Sequence, residues 1–163
     1  MTAAMTKKQL AALYPSEHAE QARVVTWCLE ESPQPIRRLT RLIYAVPNQG
    51  RFGGRAAMII GKQFKAEGLR KGFPDLCLPV PVLIGSNVAP WISLPATRSF
   101  ELGRLRASLY IEMKRCGEGF EGPSAEQLAW HEALRELGHC VYVAPGASNA
   151  IRAIEFYLAG AEP

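Results

Sequence analysis

Tyr110-Ile111-Glu112-Met113-Lys114 breaks the pattern of the apolar segment to which it belongs. A strand has a side-chain period of two, which places Glu112 and Lys114 on one face and Ile111 and Met113 on the other. On an exposed edge strand this is plain amphipathic alternation. Next to a core, a carboxylate and an ammonium are costly unless they pair or bind an ion. Thirty-seven residues before Glu112, Gly72-Phe73-Pro74-Asp75-Leu76 opens a second apolar run, and Asp75 is the only aspartate in the 163 residues. Two acids and a lysine divided between two strands form a set that can hold a divalent cation beside a phosphate.

The flanking sequence supplies the frame. Residues 1–14 have weak patterning and read as a flexible lead. Ser16 is a candidate N-cap, with Glu17 and Glu20 in the first turn of a helix that runs to about Glu31 and stops before Ser32-Pro33-Gln34-Pro35. Val24, Trp27 and Cys28 make its apolar stripe, and Glu20 projects from that face. Leu42–Val46 reads as a strand ended by Pro47-Asn48-Gln49-Gly50. The loop Arg51-Phe52-Gly53-Gly54-Arg55 leads into a second helix, Arg55 to Glu67, closed by Gly68. The Asp75 strand ends at Pro79. Residues 79–107 show no periodicity, and a stretch that long inside a domain suggests a hairpin of its own or a binding role. Leu109–Lys114 is the next strand, and Gly117–Gly122 a flexible connector. Ser124-Ala125-Glu126-Gln127 has the form of a capping box for a helix through Trp130, Leu134 and Leu137 to Gly138. Cys140–Ala144 is a strand, and Ser148 to Leu158 a closing helix. This order predicts a single α/β domain over residues 15–160, a mixed β-sheet flanked by helices, with a long insertion at about 79–107.

Composition narrows the function classes. Apolar residues make up 48% and charged residues 21%, ordinary for a soluble globular protein. No apolar run approaches the ~18–20 residues that span a membrane, and the first residues do not read as a secretory signal. Cys28, Cys77, Cys116 and Cys140 form no C-x-x-C pair. Three of them lie among apolar neighbours, which favours buried, reduced thiols and a cytoplasmic setting. His18, His131 and His139 share no ligand spacing and read as surface or packing residues. Gly50, Gly53 and Gly54 are not followed by G-K-[ST], which argues against a P-loop. Net charge is +4, but Arg51 to Arg115 holds eleven Lys/Arg against four acids while the remainder is acidic. A basic excess that brackets the candidate site favours a polyanion partner.

Hard cations such as Mg²⁺ take oxygen ligands, usually one or two carboxylates plus waters and phosphate oxygens. Asp75 and Glu112 offer that donor set. A lysine at Lys114 could orient or help deprotonate a water and stabilise an oxyanion. Glu20 is either a third acid of the site or a favourable charge at a helix N-terminus. Gln127 is either a capping residue, a site residue, or both. The loop arginines Arg51 and Arg55 are suited to a phosphodiester.

Taken together, Glu20-Gln21, Pro47-Asn48, Gly72-Phe73-Pro74-Asp75-Leu76, Ile111-Glu112-Met113-Lys114, Ser124-x-x-Gln127 with Trp130, and the terminal strand and helix from Gly138 to Tyr157 resemble the PD-(D/E)-x-K nuclease superfamily. Within it they resemble the VRR-NUC family in its short stand-alone form, over about residues 16–158 apart from 79–107. The resemblance implies a restriction-endonuclease-like core and a DNA endonuclease dependent on Mg²⁺ or Mn²⁺. It implies Asp75 and Glu112 as metal-binding acids, the Met113 carbonyl as a further ligand, Lys114 as the catalytic lysine, Glu20 as an accessory acid and Gln127 as a site-shaping residue. Asn48 falls at the rim. Arg51, Arg55, Lys62, Lys65, Arg70, Lys71 and Arg115 become expected DNA contacts. Small members of the family resemble Holliday-junction resolvases, which makes branched DNA the expected substrate and a homodimer the expected assembly, in the cytoplasm of a bacterial or phage-infected cell. A restriction- or repair-type nuclease on linear or flap DNA, and a binding module that no longer cleaves, are the alternatives.

Overall fold

The computed structural model describes residues 14–46, 68, 70–84, 105–117 and 122–161. The chain enters helix α1, Glu17–Thr26, through Ser16, whose hydroxyl accepts the amide of Ala19 at 3.1 Å. A π-helical turn, Trp27–Glu31, extends α1 to the end read from the sequence. A four-residue helix α2, Arg37–Thr40, then takes the chain round. The Thr40 and Ser32 hydroxyls are buried against the carbonyl of Cys28, which secures this turn.

Strand β1 is only Tyr44–Ala45, shorter than the Leu42–Val46 expected. Leu42 and Ile43 are held by the turn that leaves α2, with their amides on the carbonyls of Leu39 and Thr40. β2 is Leu76–Leu78, β3 Val82–Leu83, β4 Leu105–Arg106, β5 Leu109–Lys114 and β6 Cys140–Pro145. β1, β2, β5 and β6 form a four-stranded sheet in that order. β1–β2 and β2–β5 are antiparallel and β5–β6 is parallel. β3 and β4 pair separately, so the two ends of the 79–107 stretch do form a hairpin base. The expected helix over 55–67 lies outside the described residues.

Helix α3, Ala125–Glu136, opens with a complete capping box: Gln127 donates its amide to Ser124 Oγ, and its side chain accepts the Ser124 amide. Helix α4 is Ala147–Leu158. Leu76, Leu78, Leu109, Ile111 and Met113 are buried in one cluster with Val24 and Cys28 of the first helix and Ala147, Ala150, Ile154 and Tyr157 of α4. Tyr157 closes the base of this layer, its hydroxyl 2.6 Å from the carbonyl of Val80, and burial pushes its pKa up. Phe73, Tyr110, Trp130 and His139 stack edge to face, which joins α3 to Tyr110 on β5. The result is a mixed sheet flanked by helices, as the element order predicts. No disulfide links the four cysteines; Cys28, Cys77 and Cys140 are buried and Cys116 is exposed. Among the described residues no helix is long and apolar enough to cross a membrane.

Candidate active site

β5 is not an edge. It lies between β2 and β6, so Glu112 is in the middle of the sheet, and its side chain is 1% exposed. The alternative of a merely amphipathic edge strand therefore fails. The β2–β5 register pairs Leu76 with Ile111, which sets Asp75, one residue ahead of β2, opposite Glu112. Opposed residues of an antiparallel pair project to the same face. Two hydrogen bonds fix Asp75 in that place. Its carbonyl accepts the amide of Val46 at 2.8 Å, and its Oδ2 accepts the amide of Met113 at 2.8 Å. Gly72 lets the chain reach this point: it has φ +81°, and a Cβ there would stand 3.0 Å from backbone carbon of Glu126. The Asp75 segment is thus seated directly on the first turn of α3, and from the next turn Trp130 Nε1 donates to the carbonyl of Lys71 at 3.1 Å.

A third carboxylate joins the pair, and it is Glu17. Among the described residues, Glu17, Asp75 and Glu112 each offer an oxygen within 4.8 Å of the others. They open on a cleft of about 340 Å³ that Lys71, Gly72, Phe73, Ser124 and Gln127 also line. Lys114 Nζ donates to Glu112 Oε1 at 3.0 Å and to Gln127 Oε1 at 3.1 Å. Gln127 Nε2 donates to the same Glu112 oxygen. Gln127 therefore both caps α3 and orients Glu112, and neither reading of it from the sequence excludes the other.

Glu20 is engaged elsewhere. It is 8% exposed, and its Oε2 accepts the amide of Ala147 at 2.8 Å. It caps α4, whose own N-cap is Gly146 and offers no side chain. Glu20 faces the core from the apolar stripe, whereas Glu17, seven residues before Val24 and so on the same side of the helix nearer its start, reaches the cleft. Its place immediately after the N-cap was the signal available in the sequence. His131, expected at the surface or in packing, is buried at 1% exposure, with Nε2 3.9 Å from Glu112 Oε2. The i,i+4 spacing from Gln127 carried that information.

Of the expected DNA contacts, Asn48, Arg51, Arg55, Lys62 and Lys65 lie outside the described residues. Arg70 is exposed. Lys71 lines the cleft and donates to Glu126 at 2.8 Å, a hydrogen bond that holds the Glu126 carboxyl down at about 2. Arg115 donates to the carbonyl of Tyr14 at 2.7 Å. The Met113 amide donates to Asp75, and its carbonyl is the atom to which the resemblance gives a ligand role.

The donor set fits a hard divalent cation. All three donors are carboxylate oxygens, and an octahedral ion with bonds of about 2.1 Å spaces its ligands about 3–4 Å apart, so small side-chain rotations close the set. Among the described residues of the cleft, three formal negative charges face the ammonium of Lys114 and that of Lys71, which Glu126 engages. Burying a carboxylate costs several kcal/mol when its charge is not compensated, and Glu112 Oε2 is buried with no hydrogen-bond partner among the described residues. A cation would compensate that excess.

A solved structure described as a VRR_NUC domain protein matches this chain with a TM-score of 0.60 and 22% identity, over 91% of this chain and 92% of the other. The chain has the VRR_NUC fold. No protein-family model and no curated protein matches the sequence. The VRR_NUC fold accords with the expected mixed α/β core and with the resemblance carried by the Asp75 and Glu112 motifs. At that identity the likeness is one of fold, and the residues of the cleft carry the rest.

Proposed function

We propose that this protein is an endonuclease that hydrolyses phosphodiester bonds in DNA, dependent on Mg²⁺ or Mn²⁺. The observation that carries the reading is the convergence of Glu17, Asp75 and Glu112 within 4.8 Å in a cleft, with Lys114 bonded to one of them. Glu17, Asp75 and Glu112 would hold the metal, with the Met113 carbonyl as a further donor and Glu20 as the brace that sets α1 against α4. When bound, the ion supplies Lewis acidity at the scissile phosphate. Lys114 is fixed by Glu112 and Gln127, which leaves its ammonium placed to orient the attacking water and to offset charge on the phosphate oxygens. Gln127 keeps Glu112 and Lys114 in register. Lys71 at the cleft, with Arg70, Asn48, Arg51, Arg55, Lys62, Lys65 and Arg115, are the DNA contacts of this reading. The basic excess between Arg51 and Arg115 supports a polyanionic substrate.

Branched DNA is the substrate proposed, a four-way junction first, and a homodimer is the assembly that symmetric cleavage requires. Labelled four-way junction, flap and linear duplex, incubated with the purified protein and Mg²⁺, Mn²⁺ or EDTA, test both parts. Junction cleavage with either metal and none in EDTA is expected. Equal cutting of linear duplex overturns the junction preference and favours a restriction- or repair-type nuclease. Binding without cleavage of any substrate favours a binding module.

A further inference from the structure

His131 lies on α3 four residues after Gln127, so the two side chains share a helix face. Both approach Glu112, from different sides of its carboxylate. Oε1 takes Lys114 at 3.0 Å and the bond from Gln127. Oε2 lies 3.9 Å from His131 Nε2, and both groups are 1% exposed. Among the described residues, Glu112 Oε2 and the two ring nitrogens of His131 are buried without a hydrogen-bond partner. Orphaned polar atoms at that depth are rare, and here two of them are neighbours. The gap exceeds an N–H···O bond by about 1 Å, a distance that a modest rotation of either side chain removes. If the position served packing alone, a phenylalanine or leucine would fill it without desolvating two nitrogens.

We propose that His131 is the positioning residue of Glu112: its Nε2–H holds Oε2, while Lys114 and Gln127 hold Oε1, so that the carboxylate plane is fixed before a metal arrives. The role needs imidazole as a hydrogen-bond donor and no change in its protonation. It rests on the reading of Glu17, Asp75 and Glu112 as a metal site. Partners of this kind typically change metal affinity about 10–100-fold when removed.

Calorimetric titration of Mn²⁺ into wild type, His131→Phe and His131→Gln, with thermal melts in EDTA, tests it. Phenylalanine keeps the ring and removes the donor; glutamine places an amide donor near the Nε2 position. The expected result is affinity lowered about 10–100-fold in His131→Phe and restored toward wild type in His131→Gln, with the His131→Phe melt in EDTA no lower than that of wild type. Wild-type affinity in His131→Phe overturns the proposal and leaves the metal site standing. Equal losses in both variants, accompanied by lower melting temperatures in EDTA, reduce His131 to a packing residue and also overturn it. No Mn²⁺ uptake by wild type removes the metal reading itself, and with it the role of His131.

Discussion

Asp75 and Met113, 38 residues apart, are joined by a 2.8 Å hydrogen bond from the Met113 amide to Asp75 Oδ2. That bond ties the carboxylate ahead of β2 to the strand that carries Glu112 and Lys114. Two of the three acids of the candidate site, Asp75 and Glu112, are therefore set by sheet register, and a site built on strands is more sharply defined than one on loops.

Asp75→Asn should keep an acceptor for the Met113 amide while removing the charge a metal needs. Cleavage is expected to fall to background, with the melting temperature in EDTA within a few degrees of wild type. Single-turnover assays with thermal melts check this. Wild-type cleavage by the variant would take Asp75 out of the mechanism.

Lys114→Ala should lower the cleavage rate by about 10²–10⁴, the range for loss of a positioned acid–base or electrostatic group. DNA binding should change little, since the lysine is bonded within the site. Rates under saturating enzyme, with binding measured separately in Ca²⁺, distinguish the two effects.

Glu17 and Glu20 should separate cleanly. Glu17→Gln is expected to weaken Mn²⁺ binding and cleavage with little change in stability, because Glu17 lines the cleft. Glu20→Ala should destabilise the fold by about 1–3 kcal/mol, the cost of leaving the buried Ala147 amide without an acceptor. Urea unfolding and metal titration of both variants read the split. The opposite pattern would make Glu20 the accessory acid.

Gly72→Ala should cost about 1–3 kcal/mol and impair cleavage, since its positive φ and the 3.0 Å approach to Glu126 leave no room for a Cβ. The affected contact holds the Asp75 segment on α3, so activity should fall further than stability alone explains. Unfolding and cleavage measured on the same preparation compare the two losses.

Much of this was legible in the sequence because the signals were local. The capping box at Ser124, the alternation through Glu112 and Lys114 and the Pro-bounded end of the first helix each follow from short-range rules, and each appears where expected. What was not legible depended on packing. Glu20 and Glu17 sit in the same first turn, and only the approach of α4 decides which one faces the cleft. His131 looked like any lone histidine until the sheet brought Glu112 beneath it. The short β1 reflects a competing turn after α2, which no strand propensity in Leu42–Val46 announces.

The most direct test of the proposed metal-dependent site is cleavage of labelled DNA by wild type and Glu112→Gln, each with Mn²⁺ and with EDTA. Glutamine preserves the shape of Glu112 and removes its charge from the buried centre of the site. Cleavage by wild type with Mn²⁺, and by neither protein in EDTA nor by Glu112→Gln with Mn²⁺, is the predicted result. Cleavage by Glu112→Gln at the wild-type rate, or by wild type undiminished in EDTA, would contradict it.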